Sequence, residues 1–223
     1  MHKIELHLHT KYVSGCGQLG VEQLLEGYRD AGYSAITVTD HFNRDTFRKL
    51  NMDPAGEGNH VEAFLDGFHR LRDAAAAYGI RVYKGAELRF DGSNNDYLLF
   101  NYPDELLQNP EQVFTMGLPT FCTMSREAGA LLIQAHPFRY GCTPADRAFL
   151  DGVEILNLHP DHNSRNDLAQ RWGAELGLIQ VSGSDCHKSH HIGRGGILAE
   201  ELPADESALV ALLRSGRFSL IGK

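Results

Sequence analysis

Short apolar runs in this chain end repeatedly on a residue able to bind a metal. Residues 4–8 lead through His7 to His9, and residues 34–38 lead into Thr39, Asp40 and His41. Residues 80–83 lead into Gly85, Ala86 and Glu87, and residues 130–133 into Ala135, His136 and Pro137. Residues 178–181 lead into Ser184, Asp185, Cys186 and His187. Such runs read as buried strands. Side chains two apart on a strand point the same way, so His7 and His9 present two imidazoles to one point. One His-x-His is weak evidence. Its recurrence in kind at the end of each run predicts a polynuclear metal site at one end of a barrel of strands.

The segments between the runs are helical. Residues 21–31 place Leu24, Leu25 and Tyr28 at helical spacing, with Gly32 as the stop. Residues 60–78 predict one long amphipathic helix, and residues 165–175 and 206–214 two more. Residues 110–129 mix helix and loop, and residues 43–58 read as loop because of the Pro and Gly near their end. Further strands are expected at 97–100, 153–157 and 218–221. Strands alternating with helices imply parallel pairing through right-handed crossovers. The expected fold is α/β, a distorted seven-stranded (β/α) barrel spanning residues 1–223 as one domain. Its metal site would lie at the C-terminal ends of the strands, where such barrels carry their chemistry.

The balance of 21 basic and 29 acidic residues gives a formal charge of -8. That argues against a broad nucleic-acid-binding surface. It leaves room for a small phosphorylated substrate, because bound cations would dominate the local field. Cys16, Cys122, Cys142 and Cys186 are widely spaced and outline neither a disulfide framework nor a zinc ribbon. With no leader ahead of the first strand and no apolar run of membrane-spanning length, a cytoplasmic protein without a membrane partner is expected. Nothing in the sequence calls for an obligate protein partner.

In order, His-x-His, Thr-Asp-His, Gly-x-Glu, Ala-His-Pro and Ser-Asp-x-His resemble the motifs of the PHP (polymerase and histidinol phosphatase) family, from His7 to His187. The resemblance implies a distorted seven-stranded barrel, two or three divalent metals and hydrolysis of phosphate esters. It implies that His7 and His9 bind one metal with Asp185, that Glu87 bridges two metals, that His136 joins Glu87 on the second, and that His41 and His187 bind a third. Glu87, Asp185 and His187 would be the catalytic group.

The donor chemistry agrees. Clustered imidazoles with bridging carboxylates suit zinc, manganese or iron better than calcium or magnesium. Neighbouring metals can clamp the attacking and leaving oxygens of a phosphoryl group, with a metal-bound hydroxide as nucleophile. Two stretches depart from the family pattern. Where a further Asp or His is usual after His-x-His, this chain has Ser14, Gly15 and Cys16, which puts the third metal in question. Where many members place a His after the Glu, this chain offers Asp96, a candidate metal ligand that suits a turn equally well. Arg139 and Arg194 are candidate phosphate partners. Asp40 is expected to orient a ligand, and Glu154 to line the core or support the site. His159 and His162 lie in a loop on the functional face, with substrate contact and simple solvation both open.

The expected activity is hydrolysis of small phosphomonoesters or nucleotides, with short oligonucleotides as a further option. Loops 43–58 and 104–123 would shape the pocket. One alternative is an amidohydrolase-type hydrolase, which would carry a bridging carboxylated Lys; Lys84 points elsewhere by strand alternation. Another is a non-catalytic, metal-stabilised domain that binds a phosphorylated ligand.

Overall fold

The computed structural model describes residues 1–222. Its strands are β1 (His2–Leu8), β2 (Tyr33–Val38), β3 (His41–Phe42), β4 (Arg81–Arg89), β5 (Asp96–Phe100), β6 (Leu131–Gln134), β7 (Gly152–Asn157), β8 (Ile179–Gly183), β9 (Ile197–Ala199) and β10 (Phe218–Leu220). Between them lie α1 (Val21–Asp30), α2 (Arg44–Lys49), α3 (His60–Phe64), α4 (Asp66–Ala75), α5 (Pro110–Glu127), α6 (Asn166–Leu176) and α7 (Glu206–Ser215).

Seven strands build the barrel wall in the order β1-β2-β4-β5-β6-β7-β8. The two ends of this path meet. His9 N donates to Cys186 O at 2.9 Å and Cys186 N to His7 O at 3.2 Å, joining the end of β1 to the segment after β8. Three short strands add to the seven: β3 pairs with the far half of β4, while β9 and β10 extend the sheet from the other edge of β1.

The pairing is not parallel throughout, as alternation had implied. β5 runs antiparallel to both β4 and β6. Only residues 90–95 separate β4 from β5, too few for a crossover helix, so the chain turns back as a hairpin. The expected long helix over 60–78 is three pieces: α3, α4 and a 3-10 turn at Ala76–Tyr78. The expected loop at 43–58 holds α2, started by Asn43, whose side chain accepts from Thr46 N at 3.0 Å. α5 is broken at Gly117 (φ 74°), ahead of Pro119.

Ile4, Leu6, Tyr83, Leu98, Ile133 and Val181 come from five strands around the ring and pack together with Leu209, Val210 and Leu213 of α7. Lys84 N donates to Glu206 Oε1, and Tyr83 Oη to Pro203 O. These contacts seat α7 at the N-terminal half of β4. A second cluster, with Leu24 and Leu25 of α1, Leu71 of α4 and Phe114 of α5, covers the outside of the barrel. The C-terminal strand ends stay free for polar residues.

Candidate metal centre

His7 lies on β1, and His9 two residues on keeps the same side, as the pleat requires. β3 pairs in parallel with β4 so that His41 sits directly beside Glu87. His136 follows β6, and Asp185 and His187 follow β8. His136 (φ 29°) and Asp185 (φ 50°) both hold positive φ. Each departure costs about 1–3 kcal/mol, a strain that gathers at functional sites.

These residues converge on two carboxylates. Glu87 Oε1 lies 3.3 Å from His7 Nε2 and 3.1 Å from His136 Nε2. Its Oε2 lies 3.3 Å from His9 Nε2 and 2.8 Å from His41 Nδ1. Asp185 Oδ1 lies 3.5 Å from His7 Nε2 and 3.3 Å from His9 Nε2. His7, His9 and Glu87 are 0% exposed, Asp185 1% and His136 2%, so these groups are withdrawn from bulk water.

Burial opposes the charge on each group, and neighbouring charges decide the outcome. Burial would raise the Glu87 carboxyl, but the His7 and His41 imidazoles and a hydrogen bond from His136 hold it well below the usual range. Asp185 behaves alike: burial raises it, while His7, His9, Arg139 and His187 bring it well down. Burial would lower His7, yet Asp185, Glu154 and Glu87 raise it well above an ordinary imidazole. For His9, burial and the charges of His41 and His187 win, and its imidazole is pushed well down.

A surrounding layer of hydrogen bonds fixes the ring orientations. Glu154 Oε1 accepts from His7 Nδ1 at 2.9 Å, and its Oε2 accepts from His136 N at 3.0 Å and Asn157 Nδ2 at 2.9 Å. Ser14 Oγ donates to Asp40 Oδ1 at 2.6 Å and accepts from His9 Nδ1 at 3.3 Å and His41 N at 2.9 Å. Asp40 takes Thr10 N and Thr10 Oγ1 as well, each at 2.7 Å. With Nδ1 used in this way, His7 and His9 aim the Nε2 lone pair inward, as metal-binding histidines do. Gly183 makes room for this: a Cβ there would lie 2.5 Å from His7 Cβ and 2.6 Å from Glu154 Oε1.

Four inward atoms, His7 Nε2, His9 Nε2, His41 Nδ1 and Glu87 Oε2, are buried without a hydrogen-bond partner. Buried polar atoms are rarely orphaned, and here they face one another at lone-pair positions. His7, His9 and Asp185 form one set with all ligand atoms within 4.8 Å of one another, as do His7, Glu87 and His136, and likewise His9, His41 and His187. The sets overlap at His7 and His9 and bring in Glu87 and Asp185, a donor chemistry that fits divalent metals.

The other expected residues divide. Asp96 lies 3.9 Å from His136 Nε2, but Arg89 holds both its oxygens, at 2.8 and 2.6 Å. Arg139 Nη2 bonds Asp185 Oδ2 and Asn157 Oδ1, so this cation braces a candidate ligand carboxylate. Arg194 is not brought to the centre; it is exposed and its Nε donates to His190 O at 2.8 Å. Lys84 turns outward to Asp104, leaving Glu87 in the shared-carboxylate position. Cys16 comes back over the centre. Burial would raise its thiol, but the neighbouring His187 and His41 imidazoles lower it to about 6. Ser14 and Asn157 carry much of the support, and no motif in the sequence marks either of them. The expected pocket loops 43–58 and 104–123 contribute to a cavity of about 600 Å³ lined partly by α5, but none of the candidate ligands lines it.

No curated protein sequence matches the chain. Among solved structures, a two-domain protein of Bacteroides vulgatus containing a predicted PHP-like metal-dependent phosphoesterase is similar, with 19% identity and a TM-score of 0.70 over 98% of this chain. This chain spans 64% of that protein's length. PsfC of Pseudomonas syringae shares 18% identity at a TM-score of 0.63, covering 97% of this chain and 98% of its own. The lesion-specific endonuclease PfuEndoQ of Pyrococcus furiosus shares 17% identity at a TM-score of 0.63, over 98% of this chain and 57% of its own. These likenesses show a common fold. The model of the PHP domain family matches residues 5–206, and the chain belongs to that family.

Proposed function

We propose that this metal-dependent phosphoesterase acts on small phosphomonoesters or nucleotides, with terminal phosphates of short oligonucleotides as further substrates. The observation that carries the reading is Glu87: one buried carboxylate meets His7, His9, His41 and His136 within 3.3 Å. Such a carboxylate shared among imidazoles serves to hold neighbouring cations. His7, His9 and Asp185 would hold one metal, Glu87 and His136 a second with His7 beside them, and His41 and His187 a third. When bound, zinc, manganese or iron would supply Lewis acidity and a lowered water pKa at the strand ends. The chain's own part is to fix these donors, exclude bulk water and keep Asp185 ionised through Arg139.

Substrate size follows from depth. The side chain of His41 is 18% exposed and that of His187 11%, while those of Asp185 and His136 are 2% and that of Glu87 1%. A terminal phosphate can reach such a centre end-on. An internal phosphodiester would have to bring both flanking sugars with it. The charge of -8 also disfavours a long polyanion.

Turnover of a panel on manganese- or zinc-loaded protein tests this: simple phosphomonoesters, nucleoside monophosphates, a 5′-phosphorylated oligonucleotide and an internally labelled duplex. Release of phosphate from the first three, without internal scission, is expected. Scission of the duplex without phosphomonoester hydrolysis would refute the substrate assignment.

A further inference from the structure

The imidazoles around the centre fall into two sets by what each gives its Nδ1. His7 Nδ1 donates to Glu154 Oε1 and His187 Nδ1 to Asp185 O, at 2.9 and 2.7 Å. Both partners only accept, so Nδ1 carries a proton and Nε2 is the nitrogen left to offer a lone pair to a metal. His159 and His191 are the reverse. Asp161 N donates to His159 Nδ1 at 3.1 Å, and His187 N donates to His191 Nδ1 at 3.2 Å. A backbone N–H can only donate. Nδ1 of these two rings therefore bears no proton, and the neutral ring carries it on Nε2.

One nitrogen each of His159, His187 and His191 lies within 4.8 Å of the others, which by distance alone resembles a metal site. The tautomers argue against that: a ring protonated on Nε2 and already hydrogen-bonded at Nδ1 has no lone pair to give. His191 Nε2 instead lies 3.4 Å from Asp161 Oδ2, which Lys188 Nζ also holds at 3.0 Å. Nε2 of His159 has no such acceptor among the described residues. Its ring stands between the exposed His162, 4.3 Å away by centroid, and His187, 5.2 Å away. It is a largely buried donor (7% exposed) fixed from behind and set beside His187, a candidate ligand.

We infer that His159 is a substrate-binding residue whose Nε2–H donates to a phosphoryl oxygen of the phosphate seated on the His187 side of the centre. The inference rests on the reading of the centre as a phosphoesterase site, which supplies the phosphate. A neutral donor locked in one tautomer suits this task, because it binds an oxygen without adding charge to a site already rich in cations.

The test is calorimetric binding of inorganic phosphate to metal-loaded wild type, His159→Ala and His159→Gln, with metal content measured for each. Losing one such hydrogen bond should weaken phosphate binding about three- to tenfold in His159→Ala. His159→Gln, which keeps an N–H near the same place, should stay within about twofold of wild type. Metal content should be unchanged in both. Wild-type phosphate affinity in His159→Ala would overturn the inference, and so would loss of metal from both variants, the mark of a ligand. Nitrogen-15 NMR of the wild-type ring, which needs no variant to fold, should show the proton on Nε2; a proton on Nδ1 would overturn it too. Turnover of phosphate esters by wild type tests the functional reading separately. Protein that binds phosphate through His159 but turns over no ester would refute that reading and leave this inference standing.

Discussion

Glu154 Oε1 and His7 Nδ1 lie 2.9 Å apart, and both side chains are fully buried. The carboxylate holds Nδ1 of a candidate metal ligand, and its other oxygen holds the backbone N–H of a second candidate, His136. Removing it should disturb two ligands at once. Glu154→Ala should weaken metal binding by about 10–100-fold, measured by competition with a chromophoric chelator. Wild-type affinity would show that the pair does not support the centre.

Ser14 links Asp40 to His9 and to the backbone of His41. Ser14→Ala should leave the fold intact and lower metal affinity by about tenfold, because His9 loses the acceptor that directs its Nε2 inward. A loss of thermal stability with metal affinity retained would assign Ser14 to folding instead.

The Cys16 thiol, lowered to about 6 beside His41 and His187, should be largely thiolate at pH 7. Chelator-treated protein should therefore alkylate quickly at Cys16, and zinc should suppress the reaction. Equal rates with and without zinc would place Cys16 outside the third cation position. That outcome would leave His41 and His187 as the protein donors to that position.

Glu5 sits beneath the centre, where its oxygens accept from Leu6 N, His7 N, Ser184 N and Tyr28 Oη. Burial raises its carboxyl to about 7 against these hydrogen bonds. A carboxyl raised on folding favours the folded state when protonated. Its contribution is fully present below about 4.5 and is lost as pH rises through 7. Glu5→Gln should remove this dependence and leave the variant more stable than wild type above pH 7, by about 3 kcal/mol at most. The comparison is of denaturation midpoints at pH 5 and pH 8; identical pH profiles for the two proteins would contradict it.

The barrel strands were legible because each is an apolar run closed by a polar residue. β3 was not, since two residues carry no period, and neither was β9, although β10 is equally short. α2 was hidden by the Pro and Gly that follow it, although Asn43 caps it. The break after α3 falls where Gly67 packs against Thr10 and Asp40, a tertiary contact with no helical signal. The inward set at the strand ends could be read for the same reason as the strands. Asp96 could not be resolved, because its partner Arg89 faces it only through the register of the β4–β5 hairpin. Glu154 was ambiguous in a strand buried on both faces, where only the position of His7 across the barrel decides its role.

The most direct measurement titrates zinc or manganese into chelator-stripped protein while phosphate release from a phosphomonoester is followed. Activity should be absent without metal and reach its plateau only after at least two equivalents per chain. Glu87→Ala, folded by circular dichroism, should stay inactive at every loading. A plateau below one equivalent, or wild-type turnover in Glu87→Ala, would contradict a centre built on that shared carboxylate.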